Sequence, residues 1–360
     1  MYRPDYFAAA ENLLVKWKSG DLGALEFFHA NLPRLRREDI RWLPKDLPPE
    51  QLRAEVFTEA DAQAAIASHY DFANWDALAA HTEAMANKLE PNYSFECAVD
   101  AIVTGNIEVL QSLLDANPQL VHQRSNSRPH AATLLIYIAA NGTENYRQIT
   151  PPNAVEIATL LLDRGADPNA KANLYGGRHA TLPLLASSAH PAKAGLQLPL
   201  LKLLIERGAE NNGPLDSAIA HGHLAAAKLL VQLGAPLDLP AAASFNDLES
   251  VSKMLPNATK EERHRALALA AQSGATEAVR ILLDAGEDPN RFNPPGAHQH
   301  TPPLHQAIWA NRLDTVKLLV EHGARLDTKD TIYHATPLAW ARHAGHHDIS
   351  AWLESQNAPA

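Results

Sequence analysis

Four histidines stand at equivalent places in this sequence, each one to three residues before a threonine: His130, His179, His300 and His334. Other polar side chains stand near them, namely Arg128, Arg178, Tyr175 and Tyr333. Imidazole can act as an acid or a base near neutral pH, and guanidinium groups bind carboxylates and phosphates. If the fold brings these segments together, they could form the mouth of a ligand site. The competing interpretation is that each histidine bonds within its own loop.

Two histidine pairs have spacings that deserve testing as metal ligands. His343 and His347 are four residues apart, and His298 and His300 are two residues apart. Zinc takes three or four nitrogen, sulfur or carboxylate ligands, and neither pair has an obvious third ligand nearby. We therefore predict no metal and no cofactor, and we expect His343 and His347 to face solvent.

Other catalytic patterns are missing from the sequence. It contains no glycine-rich phosphate loop and no Gly-x-Ser-x-Gly elbow, and no segment is predicted to form a strand. Its single cysteine, Cys97, excludes an internal disulfide and is predicted to be buried. No nucleophile with an adjacent base can therefore be named.

A repeated motif determines where these side chains stand. Three aliphatic residues, two further residues and a glycine occur together five times, ending at Gly165, Gly208, Gly234, Gly286 and Gly323. A glycine there suits a left-handed helix end. The spacing from 234 to 286 is twice that from 208 to 234, which predicts a degenerate copy between them. The segment 247–258 has that helical pattern and stops at Pro256.

A second motif precedes the first in each unit. Its clearest copies are 301–310 and 336–345, which begin with Thr-Pro. Thr301 and Thr336 are predicted to cap a helix N-terminus, with Pro302 and Pro337 in the first helical position.

A helix, a tight turn, a second helix ending in glycine and a protruding loop make the chain similar to the ankyrin-repeat family over residues 94–357. Thr301, Pro303, Leu304 and His305 match its Thr-Pro-Leu-His signature, with an extra Pro302. The resemblance implies an all-α ankyrin-repeat solenoid of about eight units, whose first helices and protruding loops line a concave surface. It also implies that His305 bonds to loop backbone. We call the four extended loops that precede a first helix fingers: 122–133, 171–181, 291–301 and 328–336.

Residues 1–90 lack the repeat and are predicted to form an N-terminal helical capping domain, followed by the ankyrin-repeat domain at 91–360. Helical patterns lie at about 5–18, 21–31, 58–69 and 74–88, with Asp21 and Asn74 as caps. A separate binding domain on a flexible tether is the alternative, although the linker at 90–92 is short.

Several further residues are candidates for binding. Tyr137, Trp309 and Trp340 are predicted to lie in first helices, where they either face a partner or pack between repeats. Two insertions, 142–153 and 187–199, separate the helices of repeats two and three. Tyr146 and Arg147 in the first, with His190 and Lys193 in the second, could form a neighbouring wall or pack only on each other.

Composition narrows the possible classes of protein. The 360 residues carry 41 acidic and 31 basic side chains, a net charge of −10, which disfavours nonspecific nucleic-acid binding. No run of 18 apolar residues exists, so no membrane partner is predicted. The opening residues show no signal peptide, and a cytoplasmic location is expected.

We predict a noncatalytic binding scaffold that presents the concave surface and the fingers to a protein or peptide partner, with a small anionic ligand also possible near the arginines. The alternative is a small-molecule or catalytic pocket formed by the finger histidines and the insertions of repeats two and three. A closed pocket above about 300 Å³ that joins histidines from two fingers would favour that alternative.

Overall fold

The computed structural model describes residues 5–40, 43–211 and 213–359, apart from the side chain of Pro91. The first four residues of the segment tested for a signal peptide lie outside the described residues, as does the start of a proline-rich stretch at 41–50. The chain divides into two compact units, Met1–Thr181 and Leu182–Ala360. The predicted boundary between residues 90 and 91 falls inside the first unit.

The first unit begins with helices that pack around aromatic side chains. Their bounds are α1 (Tyr6–Lys18), α2 (Leu22–Asn31), α3 (Pro49–Ala54), α4 (Glu59–His69) and α5 (Trp75–Ala86), with a 3-10 helix at Pro33–Leu35. All but α3 were predicted. The side chains of Asp21 and Asn74 accept hydrogen bonds from the amides of Ala24 and Ala77 at 2.8 and 2.9 Å, which confirms both caps. In the core, the rings of Phe28 and Phe57 stack with centroids 4.0 Å apart.

Repeats one and two complete the first unit. Their α-helices are α6 (Pro91–Thr104), α7 (Ile107–Ala116) and α8 (Ala154–Asp163), and 3-10 helices span Pro118–His122, Leu134–Ala139 and Asn145–Arg147. The first helix of repeat two is therefore a 3-10 helix, which ends where Ala140 adopts a left-handed φ of 46°.

The finger 171–181 corrects the prediction that no strand exists. Strands β1 (Ala172–Leu174) and β2 (Gly177–His179) pair antiparallel, with Ala172 opposite His179. Tyr175 and Gly176 between them have φ values of 50° and 76°, the left-handed pair that a two-residue hairpin turn requires. Three-residue strands are too short to show the alternation by which strands are recognised in a sequence.

Repeats three to eight follow in helices of 5 to 14 residues. Their bounds are α9 (Thr181–Ala186), α10 (Ala189–Lys193), α11 (Gln197–Glu206), α12 (Pro214–Ala220), α13 (Leu224–Gln232), α14 (Leu239–Ser244), α15 (Leu248–Met254), α16 (Lys260–Ser273), α17 (Thr276–Asp284), α18 (Pro303–Trp309), α19 (Leu313–Glu321), α20 (Pro337–His343) and α21 (His347–Ser355), with a 3-10 helix at Leu255–Asn257. The helix α10 lies in the insertion 187–199. The described residues contain eight helix pairs over the two units, so the all-α repeat fold is confirmed. No helix described is both long and apolar enough to cross a membrane.

The predicted helix ends and N-caps of the repeats are confirmed, with one exception. The five repeated glycines have φ between 89° and 98°, which confirms their left-handed ends. Thr336 accepts a hydrogen bond from the amide of Ala339 at 3.2 Å and caps α20. The prediction that Thr301 is a cap is wrong, because the extra Pro302 moves the start of α18 to Pro303. The Thr301 hydroxyl instead donates to the carbonyl of His298 at 3.1 Å.

Candidate functional site

The finger 328–336 is folded around the carboxyl group of Asp330. Its Oδ1 accepts hydrogen bonds from the amides of Ile332 and Tyr333 at 2.8 and 2.6 Å, and its Oδ2 accepts from the amide of Ala335 at 3.0 Å. Asp330 is only 1% exposed, whereas Tyr333 is 61% exposed. The buried carboxylate therefore holds a turn that projects the tyrosine outwards.

The same carboxylate also binds the first aromatic side chain of the site. The indole Nε1–H of Trp340, on α20, donates to Asp330 Oδ2 at 3.0 Å. The ring of Trp340 meets Trp309 from α18 at 75°, with centroids 5.8 Å apart, and meets Tyr333 at 67° and 6.4 Å. Trp309 is 52% exposed and lies 6.4 Å from His343 in a nearly parallel arrangement.

The finger 291–301 supplies two imidazoles. His298 adopts a left-handed φ of 61°, and its Nε2 donates to the carbonyl of Ala220 at 2.7 Å. The ring of His300 lies 6.0 Å from that of Trp340. The backbone carbonyl of His300 accepts a hydrogen bond of 2.9 Å from the amide of Thr331, so the two fingers are joined directly.

These side chains surround a cavity of about 510 Å³ in the second unit. Its lining is formed by His298, His300, Gln306, Trp309, Tyr333, Ala335, Ala339, Trp340 and His343. The volume falls in the range of small-molecule sites. The histidines come from one finger and from α20, while the second finger supplies a tyrosine rather than a histidine. No lining residue belongs to either insertion.

Burial determines the charges of these groups. It lowers the pKa values of His298 and His300, and a neighbouring histidine lowers each of these pKa values further. Burial alone would raise the pKa of Asp330, but the hydrogen bonds from Tyr333, Trp340, Ala335 and Ile332 outweigh it and hold that pKa below its ordinary value. At neutral pH the site therefore contains neutral imidazoles and one buried negative charge.

Six of the residues singled out in the sequence meet at this cavity: His298, His300, Trp309, Tyr333, Trp340 and His343. His334 is exposed beside them, at a φ of 54°, but does not line the cavity. Sequence reasoning missed Asp330 and Gln306. An aspartate whose carboxylate accepts hydrogen bonds from the amides two and three residues later is a usual turn signal. This pattern could have identified Asp330.

The structural interpretation of His305 is supported, and a second histidine makes the same kind of contact. His305 Nε2 lies 3.3 Å from the carbonyl of Ala335 in the next finger, as the family resemblance implies. His264, which the sequence analysis did not single out, makes the same kind of contact with the carbonyl of Phe292 at 2.8 Å. Burial lowers the pKa of His305 to about 4, so this side chain is a neutral structural donor.

His190 and Lys193 are exposed on α10 in the second unit. The other sequence candidates lie in the first unit, and five of them form an interior cluster that we call the buried ionic cluster, built around Glu144. Arg128 Nε lies 3.3 Å from Glu144 Oε1, and the Arg128 guanidinium carbon lies 3.5 Å from the centre of the Phe72 ring. Both ionic side chains are fully buried. Arg128 therefore packs against the N-terminal helices instead of projecting from its finger.

Arg147 is the second cation of the buried ionic cluster. Its Nη1 lies 2.6 Å from Glu96 Oε2 and 3.2 Å from Glu144 Oε1, and its Nη2 lies 2.8 Å from Asp100 Oδ1. Tyr137 is wholly buried, and its hydroxyl donates to Glu144 at 3.4 Å. Tyr146 packs edge-on against Tyr70 with centroids 5.3 Å apart. The insertion 142–153 thus turns inwards, because Arg147 pairs with carboxylates on α6 and Tyr146 packs against Tyr70 at the end of α4.

The imidazole of His130 completes this cluster. Its Nδ1 accepts a hydrogen bond from the amide of Ala132 at 3.0 Å, so Nε2 carries the proton and faces Glu144 Oε2 at 3.5 Å. Burial alone would raise the pKa of Glu144, but His130, Arg147 and Arg128 outweigh it and hold that pKa far below its ordinary value. Nδ1 of His130 is bonded within its own finger and Nε2 is enclosed beside Glu144, which favours a structural role over acid–base chemistry.

The remaining candidates lie on the hairpin of the first unit. Tyr175 is 72% exposed, Arg178 is exposed and His179 is half-buried, with the rings of Tyr175 and His179 6.4 Å apart. The Tyr175 hydroxyl donates to Asn141 Oδ1 at 2.5 Å. The fingers of this unit are also joined, because the amide of Asn173 donates to the carbonyl of His130 at 2.7 Å.

The predicted metal pairs remain pairs. The rings of His298 and His300 are 6.1 Å apart, and His343 and His347 are both exposed. Over the part of the chain that the structure describes, no group of three or more histidine, cysteine, aspartate or glutamate side chains is placed to hold a metal ion. Cys97 is buried as predicted.

Comparison with known proteins supports the repeat assignment. A family model described as ankyrin repeats (three copies) matches residues 239–330. Cyclin-dependent kinase 4 inhibitor B of Rattus norvegicus is 31% identical over 127 residues, which cover 34% of this chain and 94% of that protein. E3 ubiquitin-protein ligase KEG of Arabidopsis thaliana is 22% identical over 269 residues, covering 69% of this chain but 15% of that protein. With its helix pairs, left-handed glycines and bonded Thr-Pro-Leu-His histidine, the chain belongs to the ankyrin-repeat family.

Proposed function

We propose that this chain is a noncatalytic binding scaffold whose second unit presents its first helices and fingers, the surface predicted to be concave, to a protein or peptide partner. The observation that carries this proposal is the exposure of Trp309 and Tyr333 beside one cavity. Large aromatic side chains that are exposed in a single protein are unfavourable in water, and they are the residues that most often anchor interfaces.

The rigidity of this surface supports the same function. The fingers 291–301 and 328–336 are tied to each other through His300 and Thr331, and Asp330 holds Tyr333 in place through its own turn. A preorganised surface loses less conformational entropy when a partner binds. The relative from Rattus norvegicus is named as an inhibitor of a cyclin-dependent kinase, which is itself a protein.

We propose a different role for Arg128, His130, Tyr137 and Arg147, and their burial supports it. Their side chains are buried in the first unit and pair with one another or with Glu144, so we infer that they stabilise the contact between the N-terminal helices and repeats one and two. Tyr146 supports this contact through Tyr70.

The hairpin of the first unit remains a second predicted contact surface. Tyr175 and Arg178 are exposed there, and Arg178 has the chemistry to bind an anionic group. The cavity of the second unit is less suited to an anion, because none of the described residues that line it is lysine or arginine.

The experiment has two steps. A photo-crosslinking amino acid is placed at Tyr333, and separately at Leu248 as an exposed control position in the same unit, and the protein crosslinked through Tyr333 is identified and purified. Its affinity is then measured by calorimetry for the original chain, for Trp309→Ala and for Leu248→Ala. We expect Trp309→Ala to weaken binding about thirtyfold, as for an interface anchor, with Leu248→Ala unchanged. Equal affinities for all three proteins would contradict the proposal.

A further inference from the structure

The cavity of the second unit is bounded by aromatic rings that face it from different directions. Trp309 and Tyr333 both meet Trp340 at steep angles, 75° and 67°, so the three rings do not form one flat stack. The face of an aromatic ring carries partial negative charge, and tryptophan has the strongest attraction for a cation. Three such rings around one space create an environment that favours positive charge.

The buried carboxylate strengthens this preference. Asp330 Oδ2 accepts the indole N–H of Trp340 at 3.0 Å, which adds electron density to that ring. The carboxylate remains ionised, because four donors hold its pKa below the ordinary value against the effect of burial. A negative charge therefore stands directly behind one wall of the cavity, in surroundings that screen it poorly.

The described lining offers little positive charge that would oppose a bound cation. None of the described residues around the cavity is lysine or arginine, and the buried imidazoles of His298 and His300 are neutral at neutral pH because their pKa values are lowered. The side chains of this lining offer few acceptors: the carboxamide of Gln306, the hydroxyl of Tyr333 and the histidine rings. A primary ammonium would lose water from three N–H groups without full replacement, whereas a quaternary ammonium has no N–H to satisfy.

We propose that this cavity binds a small organic cation with a quaternary ammonium group. A free small molecule fits the volume of about 510 Å³, which lies in the range of small-molecule sites, better than a single side chain from a partner. This inference goes beyond the proposed scaffold function and does not depend on it, because the site is complete within the second unit.

The test compares two ligands of nearly the same shape. Choline and 3,3-dimethyl-1-butanol differ in that a carbon replaces the charged nitrogen. Each is titrated into the purified full-length chain by calorimetry at pH 7.5, with sodium chloride keeping the ionic strength constant. We expect choline to bind at least tenfold more tightly. Equal affinities would show a merely apolar cavity and would overturn the proposal, as would the absence of choline binding.

Two variants locate the binding. Trp309→Ala removes an exposed ring and should weaken choline binding at least tenfold, while Trp309→Phe should retain part of the affinity because it keeps an aromatic face. Leu248→Ala, elsewhere on the same unit, should leave the affinity unchanged. If Trp309→Ala binds choline as the original chain does, the ligand is not in this cavity and the assignment is wrong.

A third arm tests the source of the cation. A short peptide that contains trimethyllysine is titrated beside the same peptide with unmodified lysine. Choline should bind more tightly than either peptide, and a tighter trimethyllysine peptide would overturn the assignment to a small molecule. These titrations contain no protein partner, so their failure is distinguishable from a failure of the scaffold proposal.

Discussion

The indole N–H of Trp340 donates a 3.0 Å hydrogen bond to the buried carboxylate of Asp330. This contact joins the turn of the finger 328–336 to a tryptophan that lines the cavity of the second unit. The carboxylate accepts from three amides of its own finger and thereby projects Tyr333, and it fixes the indole that meets Trp309. A polar group that is buried in this way is expensive to leave unpaired.

The first prediction concerns this carboxylate. Asp330→Asn keeps one acceptor oxygen but turns an amide towards at least one of the four donors, so that a buried N–H loses its partner. We expect a loss of about 1–3 kcal/mol in the free energy of unfolding, measured by urea denaturation. Asp327→Asn is the matched control, because its pair with Arg325 is largely exposed, and it should change stability little. A loss as small as that of the control would show that Asp330 does not organise the finger.

The second prediction concerns the buried ionic cluster. Arg147→Met removes the cation that pairs with Glu96, Asp100 and Glu144 and leaves buried carboxylates uncompensated. We expect destabilisation of about 3–5 kcal/mol. Arg164→Met provides the comparison, since the pair of Arg164 with Asp115 is partly exposed and should contribute less than about 1 kcal/mol. Similar losses in the two variants, seen in urea unfolding followed by circular dichroism, would contradict the structural role given to Arg147.

The third prediction concerns acid. The pKa of His305 falls to about 4 in the folded protein from an ordinary value of 6.5, so the unfolded chain takes up the proton first as the pH drops. Its contribution is therefore complete above pH 6.5 and is lost as the pH falls towards 4, by about 3 kcal/mol. Glu144 behaves differently: its folded pKa lies below the ordinary 4.5, so its contribution is lost only as the pH falls below that value.

Melting temperatures of the full chain between pH 7.5 and pH 4.5 measure this effect. The decline should be shallower in His305→Gln, whose amide can still donate to the carbonyl of Ala335 but does not titrate. An equally steep decline in that variant would rule out His305 as a source of the acid sensitivity.

The fourth prediction concerns the repeat itself. Gly208 has a φ of 90°, and no described atom beyond its chain neighbours lies within 4 Å of the position that a Cβ would take, so backbone strain alone opposes a side chain there. Gly208→Val should destabilise the protein by about 1 kcal/mol or more, while Gly208→Asn should cost less because asparagine tolerates left-handed conformations. Thermal unfolding of the two variants in parallel gives the comparison, and equal melting temperatures would show that strain at this helix end is unimportant.

Much of the fold could be predicted because its signals are local. Gly208 and its counterparts end helices through their own backbone freedom, and Thr336 caps a helix three residues away. Thr301 shows the limit of such signals, because a single inserted proline moved the start of the helix by one residue. The cavity was anticipated in part, since Trp309, Tyr333 and His300 could each be placed on the correct finger or helix.

The buried ionic cluster could not be predicted from local sequence. Arg128, Glu144 and Arg147 are polar residues in long loops, which usually lie in water, and nothing in their own segments indicates burial. Their partners Phe72 and Glu96 lie far away along the chain, before the second repeat begins. Burial of these charges depends on tertiary contacts, and these contacts are the reason that we infer a stabilising role for them.

Hydrogen–deuterium exchange tests the central claim most directly, with the full chain measured alone and with its purified crosslinked partner. Amide hydrogen exchange reports which backbone amides become protected when a surface is covered. We expect added protection in the fingers 291–301 and 328–336 and in α18 and α20. Protection confined to the hairpin 172–179 or to the N-terminal helices, with these segments unchanged, would contradict it.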